Sequence, residues 1–461
     1  MFIDILTRFI NLCFQHCYFP DTITNGIIIP LLKNKFDDMT SIDNYRPIIK
    51  SSNFLKIIEI LILDKISPYI NINDRQHGFR KNMSTLTAFF ILKETILSYL
   101  YNGSAVFSTF LDLSKAFDRV NHNLLFDKLS FTGIPVFYLR IIKFIYNNQY
   151  VKVKYNGSLS ESWRLENGVR QGGILSPLFF NPYINSLINK ISSQRIGCQI
   201  GLYVSNIIAY ADDLVLIAPS LKSLQVLINI CSEELNQVKL KVNISKTFCM
   251  KFQKNTKKNN LNEVITFGKQ PIKFVNEIKY LGFLIYYNFK NKNDIIRGRN
   301  KFYNSFNGIL RRFYNVDLNI KIHLFRSFCC QIYGSEMWYY NFECKKYINQ
   351  FAVGYHNAIK KMFKLPKWVS NHFICEAAGL VTFDHHLNLS KIKFAYRLFF
   401  HPPPFIYKNL KYFVDYSYLM EDVENLLKNV YQVENLLEND VEALKARVIY
   451  VHNTYNDQFL L

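Results

Sequence analysis

The sequence lacks a regular cysteine pattern. Its 461 residues include nine cysteines at scattered positions, and no Cys-x-x-Cys pair occurs. The odd number and irregular spacing argue against the disulfide framework of a secreted protein. The densest group of metal-ligand residue types, Cys13, His16 and Cys17, lies in a stretch that reads as an amphipathic helix. We therefore interpret these cysteines as buried thiols rather than zinc ligands.

The sequence also lacks a long uncharged apolar segment. No such run approaches the ~20 residues that a membrane-spanning helix needs. The nearest one, NFLKIIEILILDKI, is interrupted by Lys56, Glu59 and Asp64, so we read it as a core helix. The first residues carry Asp4 and Arg8 and make a poor signal peptide. We expect no membrane partner.

Acidic residues are scarce relative to basic ones. The chain has 35 Asp and Glu against 56 Lys and Arg, which gives a formal net charge of +21. That balance suggests a polyanionic partner, either nucleic acid or an anionic membrane surface. Aromatic residues make up 16% of the chain, and basic grooves with stacking aromatic rings suit single strands. Composition therefore favours nucleic acid.

Two adjacent aspartates stand out in the apolar stretch IIAYADDLVLIA. Burying Asp212 and Asp213 side by side costs hydration, and like charges ~4 Å apart repel by about 4 kcal/mol at an effective dielectric near 20. A second buried strand, VFSTFLDL, carries Asp112 near its end. If the strands pair in one sheet, the carboxylates converge, and Mg²⁺ would offset their repulsion. An Asp-Asp turn at a hairpin tip is the plainer alternative.

The remaining patterns predict a chain with both helices and strands. Residues 1–100 read as mostly helical, and a helix is expected from Ser114. YVKVKYNG predicts a hairpin strand, SPLFFNPYINSLINKI and SLQVLINICSEELNQVKLKVN predict long helices, and KFVNEIKYLGFLIYY predicts strands. Beyond Asn291 we expect helices with basic faces. One of them has an apolar stripe at helical spacing, formed by Phe351, Tyr355, Ala358, Ile359 and Met362. The lysines off this stripe form either a solvated face or a phosphate-binding surface; they are Lys360, Lys361, Lys364 and Lys367. HPPPF at 401–405 is a stiff break before an acidic, helical tail.

Seven segments, in order along the chain, resemble the motif blocks of reverse transcriptases. They are NYRPI, QHGFRKNMST, FSTFLDLSKAFDRVNH, NGVRQGGILSPLFFNPYIN, the YADD hairpin, LKVNISKT and IKYLGFLI. LDLSKAFD and HGFR are most similar to the non-LTR, or LINE-type, branch. The likeness covers roughly residues 20 to 390. It implies an α+β right-hand polymerase fold, with fingers and an antiparallel palm sheet followed by a helical thumb and connection.

The resemblance also implies an activity and its partners. The activity is RNA-directed DNA synthesis, with an RNA template, a DNA primer, deoxynucleoside triphosphates and two Mg²⁺ ions, which Mn²⁺ can replace. The metal site it implies consists of Asp112, Asp212, Asp213 and the backbone carbonyl of Leu113, while Lys246 protonates the leaving pyrophosphate. The plain alternative for Lys246 is a solvated loop lysine.

Further roles follow from the same resemblance. The nucleotide-binding set it implies is Arg80, Leu113, Ala116, Phe117, Gln171, Gly172 and Tyr210, and the primer grip is Tyr280, Leu281 and Gly282. Phe117, five residues after Asp112, would exclude a ribose 2′-hydroxyl, although ordinary core packing explains a phenylalanine there equally well. The basic run expected to follow phosphates is Arg297, Arg299, Lys301, Arg311 and Arg312, with a solvated surface as the alternative.

The predicted domains are an N-terminal extension with fingers (1–100), a palm with interleaved fingers (101–286), a thumb and connection (287–400) and a helical tail (401–461). Two rival functions stay open: an inactive nucleic-acid-binding remnant, and an intron-maturase-like or telomerase-like polymerase. LINE proteins commonly carry an endonuclease, and no stretch outside the polymerase blocks reads as long enough for one. We expect any endonuclease to act in trans, and the resemblance alone implies cytoplasm and nucleus.

Overall fold

The computed structural model describes residues 1–33, 38–201, 203–254, 264–338, 342–402, 406, 417–429 and 441–455. Its α-helices are Phe2–Gln15 (α1), Asp21–Thr24 (α2), Asn53–Ile66 (α3), Thr85–Tyr101 (α4), His122–Ser130 (α5), Val136–Asn147 (α6), Ser176–Ser192 (α7), Leu221–Gln237 (α8), Lys292–Arg312 (α9), Leu318–Phe328 (α10), Phe342–Met362 (α11), Asn371–Ala377 (α12), Phe383–Phe400 (α13), Tyr418–Asn429 (α14) and Val441–Tyr455 (α15).

The strands are Gly26–Leu32 (β1), Tyr45–Ser51 (β2), Val106–Asp112 (β3), Tyr150–Tyr155 (β4), Ser158–Leu159 (β5), Trp163–Arg164 (β6), Cys198–Ile200 (β7), Tyr203–Ser205 (β8), Ile207–Tyr210 (β9), Asp213–Ala218 (β10), Phe248–Phe252 (β11), Thr266–Phe267 (β12), Gln270–Pro271 (β13), Lys273–Phe274 (β14), Glu277–Tyr280 (β15) and Phe283–Tyr286 (β16).

The central sheet has the order β14-β11-β3-β10-β9, and β3, β10, β9 and β11 pair antiparallel. Its strands are apolar on both faces. On β3, Phe107 and Leu111 pack with α7 and α8 in one core cluster, while Val106 and Phe110 pack with α4 in a second. Continuous apolar runs therefore form these strands because both faces are covered.

A second sheet has the strand order β2-β1-β4-β5, and β6 also pairs with β4. In the sequence, β1 and β2 come before the first strand of the central sheet, and β4, β5 and β6 lie between its strands β3 and β9. The expectation that residues 1–100 are mostly helical is wrong for β1 and β2, which pair along their whole length. Pro30 and Pro47 face each other in that pairing. Proline lacks an N–H for the ladder, so two prolines in two short apolar runs obscured the strands in the sequence.

The helix expected from Ser114 is also wrong. Residues 114–119 form turns, and α5 begins only at His122, where the Asn121 side chain accepts a hydrogen bond from the Leu124 N–H (3.2 Å). The turns are held from outside: the Ser114 N–H donates to the Lys241 carbonyl (2.8 Å). This irregular segment directs several side chains into the cavity described below.

The helices α9–α12 and the start of α13 share a third core cluster. The predicted apolar stripe on α11 is confirmed, because Phe351, Tyr355, Ala358, Ile359 and Met362 are all buried there. The tail helices α14 and α15 are confirmed as helical and pack with α13 and α4 in the second cluster. Residues 403–405 of HPPPF lie outside the described residues.

Two further expectations concern a membrane-spanning helix and the cysteines near the start of the chain. Among the described residues, no helix combines the length and apolar character needed to cross a membrane. Cys13 is buried in α1, as predicted, whereas Cys17 is half-buried and follows the end of that helix, so the prediction is wrong for Cys17. The division into four domains stays a prediction.

Candidate active site

The two adjacent aspartates stand at the tip of the β9–β10 hairpin. Tyr210 pairs with Asp213 across this hairpin, so Ala211 and Asp212 form a two-residue turn. Ala211 has a φ of +54°, in the left-handed region that such turns require. Asp213 is also the register partner of Asp112 on β3. The hairpin-tip alternative is thus correct as geometry, but the tip faces a third carboxylate.

A cavity of about 760 Å³ opens between the end of β3, the hairpin tip and the second sheet. Seven predicted site residues line this cavity: Asp112, Leu113, Ala116, Phe117, Gln171, Asp212 and Lys246. The charged lining residues that the sequence analysis missed are Lys33, Asp43, Arg46, Lys115 and Asp118. Arg46, Lys115 and Asp118 lie inside the motif blocks named above, which was the signal available for them.

Burial raises the pKa of the carboxylates in and beside this cavity. Desolvation raises the pKa of Asp112, and Lys246 and Lys33 only partly oppose it. Desolvation also raises the pKa of Asp212, with repulsion from Asp112 adding to it. The side chain of Asp213 is exposed on one side, yet desolvation by the sheet beneath it and repulsion from Asp212 raise its pKa to about 7. Because a bound cation would offset both the desolvation and the repulsion, the site favours cations.

Basic side chains also line the cavity. The Lys115 ammonium pairs with Asp43 (2.7 Å), and the Lys33 ammonium donates to the Asp43 carbonyl (2.6 Å). Arg46 is exposed and lowers the pKa of Asp212 through its charge. A cavity lined by carboxylates together with ammonium and guanidinium groups suits a polyanion that arrives with a divalent cation.

Phe117 occupies the floor of the cavity. Its ring stacks on Phe180 of α7, with centroids 4.6 Å apart and planes 10° apart, and it meets Phe79 edge-on at 6.2 Å. Phe117 therefore packs in the core and also lines the cavity, and its role in excluding a ribose 2′-hydroxyl stays a prediction.

The loop before α7 carries Gln171 and Gly172. The Gln171 side chain donates to Asp118 (2.8 Å), and its carbonyl accepts from the Ile49 N–H of β2 (2.9 Å). Gly172 has a φ of +104°, and a Cβ there would lie 3.3 Å from the Ile49 carbonyl. The loop is thus fitted closely against β2, and glycine is required by conformation as well as by space.

The comparisons with known proteins agree with this geometry. The sequence profile described as "Reverse transcriptase (RNA-dependent DNA polymerase)" matches residues 32–285, more than half of the chain. The chain belongs to the reverse transcriptase family. This membership confirms the predicted α+β polymerase fold with an antiparallel palm sheet, which is the central sheet here.

Named relatives come from non-LTR retrotransposons. The chain is 30% identical over 245 residues to the "Retrovirus-related Pol polyprotein from type-2 retrotransposable element R2DM" of Drosophila melanogaster, which covers 52% of this chain and 23% of that protein. It is 28% identical over 210 residues to the "RNA-directed DNA polymerase from mobile element jockey" of Drosophila funebris, covering 44% of this chain and 22% of that protein. The matches thus span about a quarter of each relative.

A solved structure of a telomerase from Candida Tropicalis, described as in complex with a fragment of telomeric RNA, covers 93% of this chain and 64% of its own. It is 12% identical, with a TM-score of 0.44. At that TM-score the likeness supports no conclusion about this chain.

The metal site implied for a reverse transcriptase was tested on the side chains present. The part of the chain that the structure describes contains no group of three or more His, Cys, Asp or Glu placed to hold one ion. Asp112 and Asp212 nevertheless line one cavity with Leu113, and Asp213 does not line it. Mg²⁺ typically takes one or two protein carboxylates and completes its shell with water and substrate phosphates. Two carboxylates therefore fit the ion, and Asp213 fits less directly.

Three predicted nucleotide-binding residues do not line the cavity: Gly172, which packs against β2, and the side chains of Arg80 and Tyr210. The Arg80 guanidinium donates to the Asn73 carbonyl (2.9 Å) and lies 3.6 Å from an Asp74 carboxylate oxygen. Tyr210 is half-buried against the second core cluster. Arg80 and Tyr210 each resemble a motif position in the sequence, but the backbone around them directs the side chains elsewhere.

The predicted primer grip forms the β15–β16 hairpin, with Leu281 and Gly282 in its turn rather than in a bulged strand. Tyr280 is buried and meets the Phe110 ring edge-on at 5.4 Å. The Tyr333 hydroxyl donates to the Leu281 carbonyl (2.7 Å). A residue beyond the palm therefore fixes the turn.

The predicted basic run lies on α9, but its members differ in their surroundings. Arg297 is paired with Asp294 (2.7 Å) and Arg299 donates to Gln350 (2.9 Å). Lys301, Arg311 and Arg312 are exposed. On α11, Lys360 is buried and donates to the Lys367 carbonyl (2.7 Å), so its assignment to a phosphate-binding surface is wrong.

Proposed function

We propose that this chain is an RNA-directed DNA polymerase of a LINE-type retroelement. One observation carries the proposal: Asp112 and Asp212, which are distant in sequence, line the same cavity as Phe117, Gln171 and Lys246. The family membership and the names of the relatives support the same activity. The reaction is the attack of a primer 3′-hydroxyl on the α-phosphate of a deoxynucleoside triphosphate, with pyrophosphate as the leaving group.

The residues that line the cavity have two kinds of role: the carboxylates bind metal, and the basic side chains bind the triphosphate. Asp112, Asp212 and the Leu113 carbonyl would hold two Mg²⁺ or Mn²⁺ ions, which when bound activate the attacking hydroxyl and stabilise charge on the phosphate. Lys33, Arg46 and Lys115, which also line the cavity, offset the negative charge of the triphosphate.

Lys246 and Phe117 act on the two ends of the nucleotide. Lys246 is exposed at the cavity wall and can give a proton to the pyrophosphate oxygen as the bond to the α-phosphate breaks. The Phe117 ring, held by its stack on Phe180, occupies the floor where a ribose 2′-hydroxyl would stand. The chain would therefore prefer deoxynucleotides.

Primer extension on an RNA template tests the proposal. We expect extension with deoxynucleotides that requires Mg²⁺ or Mn²⁺, and we expect Asp112→Asn and Asp212→Asn each to abolish it. Template-primer affinity, measured by fluorescence anisotropy, should stay the same or rise because a negative charge is removed. Asp74→Asn is the matched control, since it makes the same change at a carboxylate outside the cavity.

Three outcomes would point elsewhere. Activity that survives either cavity substitution contradicts the metal assignment. Binding without extension in the parent protein favours the inactive remnant. Extension that requires one dedicated RNA, rather than any supplied RNA template, favours the telomerase-like or maturase-like alternative.

A further inference from the structure

The segment Arg75–Gly78 extends the palm sheet beyond β9. The Ala209 N–H donates to the Arg75 carbonyl (2.9 Å), and the His77 N–H donates to the Ala209 carbonyl (2.7 Å). Gln76 is thereby bridged in parallel to Ala209. The segment runs alongside the strand that leads into the catalytic turn.

The Gln76 side chain reaches the turn itself. It is completely buried, and its Oε1 accepts from the backbone N–H of Ala211 (2.8 Å) and from that of Gly78 (2.8 Å). Its Nε2 donates to the Ala211 carbonyl at the longer distance of 3.4 Å. Ala211 is a turn residue, so its N–H is outside the β9–β10 ladder. One carboxamide thus satisfies a buried turn residue on both its N–H and its carbonyl.

Gly78 brings its backbone against the same residue. A Cβ at Gly78 would lie 2.3 Å from the Ala211 nitrogen and 3.0 Å from its Cα. Those atoms are backbone, so they cannot move aside without shifting the turn. Gly78 is held in turn by Asn181 of α7, whose Nδ2 donates to the Gly78 carbonyl (3.1 Å).

We propose that Gln76 and Gly78 are positioning residues that fix the Ala211–Asp212 turn, and through it the carboxylate of Asp212, for metal binding beside Asp112. Neither residue lines the cavity, so they act through Ala211 and not on the substrate. The inference rests on the proposed polymerase function. It assigns the QHG part of the QHGFR segment to the catalytic turn, whereas Arg80 of that segment is engaged with Asn73 and Asp74.

The decisive variant is Gln76→Met, which keeps the size of the side chain and removes its hydrogen bonds. A purely structural loss would lower the melting temperature and nothing else. We therefore pair it with Thr87→Val, which removes a buried hydroxyl in contact with His77 (3.3 Å) but not with the turn. Both variants are assayed well below their melting temperatures.

Two measurements are made on each protein. Mn²⁺ affinity of the protein alone is read from the electron paramagnetic resonance signal of free Mn²⁺, and primer extension gives kcat and the half-saturating Mg²⁺ concentration. For Gln76→Met we expect Mn²⁺ affinity to fall at least threefold, half-saturating Mg²⁺ to rise by a similar factor, and kcat to fall about tenfold. The KM for template-primer should not change. Thr87→Val should match the parent in all of these.

Two results would overturn the proposal. One is equal behaviour of Gln76→Met and Thr87→Val, and the other is an unchanged Mn²⁺ affinity in Gln76→Met. If Gln76→Met does not fold, Asn181→Ala is the variant that tests the proposal. It removes the hydrogen bond to the Gly78 carbonyl, one contact further from the turn. We expect smaller changes in Mn²⁺ affinity, half-saturating Mg²⁺ and kcat, in the same directions. Because Mn²⁺ binding needs no nucleic acid, it also separates this inference from the polymerase proposal, which is tested by primer extension in the parent protein.

Discussion

Asp112 and Asp213 are register partners on the antiparallel strands β3 and β10. Side chains of such partners stand on the same face of the sheet with Cβ atoms about 5 Å apart. The two carboxylates are thus brought together by strand register and not by side-chain flexibility. A shift of one residue would exchange the faces of Phe110 and Leu111 between the two core clusters, so the buried strands hold the repelling pair in place.

The first prediction concerns sugar selection. Phe117→Ala removes the ring at the cavity floor and should raise the use of ribonucleotides, relative to deoxynucleotides, by at least about tenfold, because the clash with the 2′-hydroxyl is lost. The ratio of kcat/KM for the two nucleotides is the measurement. Loss of the stack on Phe180 should also cost about 1–3 kcal/mol of stability.

Phe117→Tyr is the control for this change. It keeps the ring and its stack, so its preference for deoxynucleotides should equal that of the parent. If Phe117→Ala discriminates as well as Phe117→Tyr does, Phe117 is only a packing residue.

The second prediction concerns the exposed end of α9. Reversing the charge of Arg311 and Arg312 to Glu should weaken template-primer binding and flatten its salt dependence. Each phosphate contact contributes roughly −0.9 to the log–log slope on B-DNA, so a flattening of about 1–2 is expected. The nucleotide KM should not change, because neither arginine lines the cavity.

The matched control reverses two exposed charges on another surface, Lys190→Glu with Arg195→Glu near the end of α7. Net charge changes equally in both proteins. Equal slopes in the two double variants would assign Arg311 and Arg312 to a surface that nucleic acid does not touch.

Sequence patterns predicted the strands of the palm because those strands are continuous apolar runs that end in charge. The β9–β10 hairpin and the acidic end of β3 were read correctly for that reason, and motif order then joined them across one hundred residues. Strands β1 and β2 were missed, since each contains a proline that lies opposite the proline of the other strand. The turns after Asp112 were missed because contacts from Lys241, remote in sequence, replace a local helix.

The site was predictable only as far as motif positions determine side-chain direction. Asp112, Asp212, Phe117 and Lys246 line one cavity, whereas Arg80 turns to the carbonyl of Asn73. No sequence pattern marked Lys33 as a cavity residue, because its position there depends on the path of strand β1, which ends at Leu32. The bonds between Gln76 and Ala211 were equally hidden, because they join two segments through buried backbone.

The third prediction concerns the β15–β16 turn. Tyr333→Phe removes the hydroxyl that donates to the Leu281 carbonyl and accepts from the Thr85 hydroxyl (both 2.7 Å). We expect a loss of about 1 kcal/mol in stability and a several-fold rise in the KM for template-primer, because the turn that would hold the primer end is no longer fixed.

Tyr314→Phe is the control, since Tyr314 is exposed on another part of the chain. The nucleotide KM should be the same in all three proteins when it is measured at saturating template-primer. A parent-like KM for template-primer in Tyr333→Phe would contradict the assignment of this turn as a primer grip.

The last prediction concerns the charge on Asp213. Its pKa of about 7 lies above the ordinary value of 3.8, so the folded protein holds a proton that the unfolded chain releases between these values. The contribution of this group to stability is therefore present at low pH and is lost as pH rises through about 7.

Asp213→Asn cannot lose a proton. In EDTA at pH 8 it should be more stable than the parent by about 1 kcal/mol, after discounting for the solvent that reaches this side chain. At pH 5, between the two pKa values, the advantage of the variant should be smaller, because the folded parent still holds its proton. Melting temperatures of parent, Asp213→Asn and the control Asp74→Asn are compared at pH 8 and pH 5. Added Mg²⁺ should raise the melting temperature of the parent at pH 8 more than that of Asp213→Asn, because ion binding to the folded state offsets the same repulsion. A difference between parent and variant that is independent of pH would show that Asp213 titrates as an ordinary surface carboxylate.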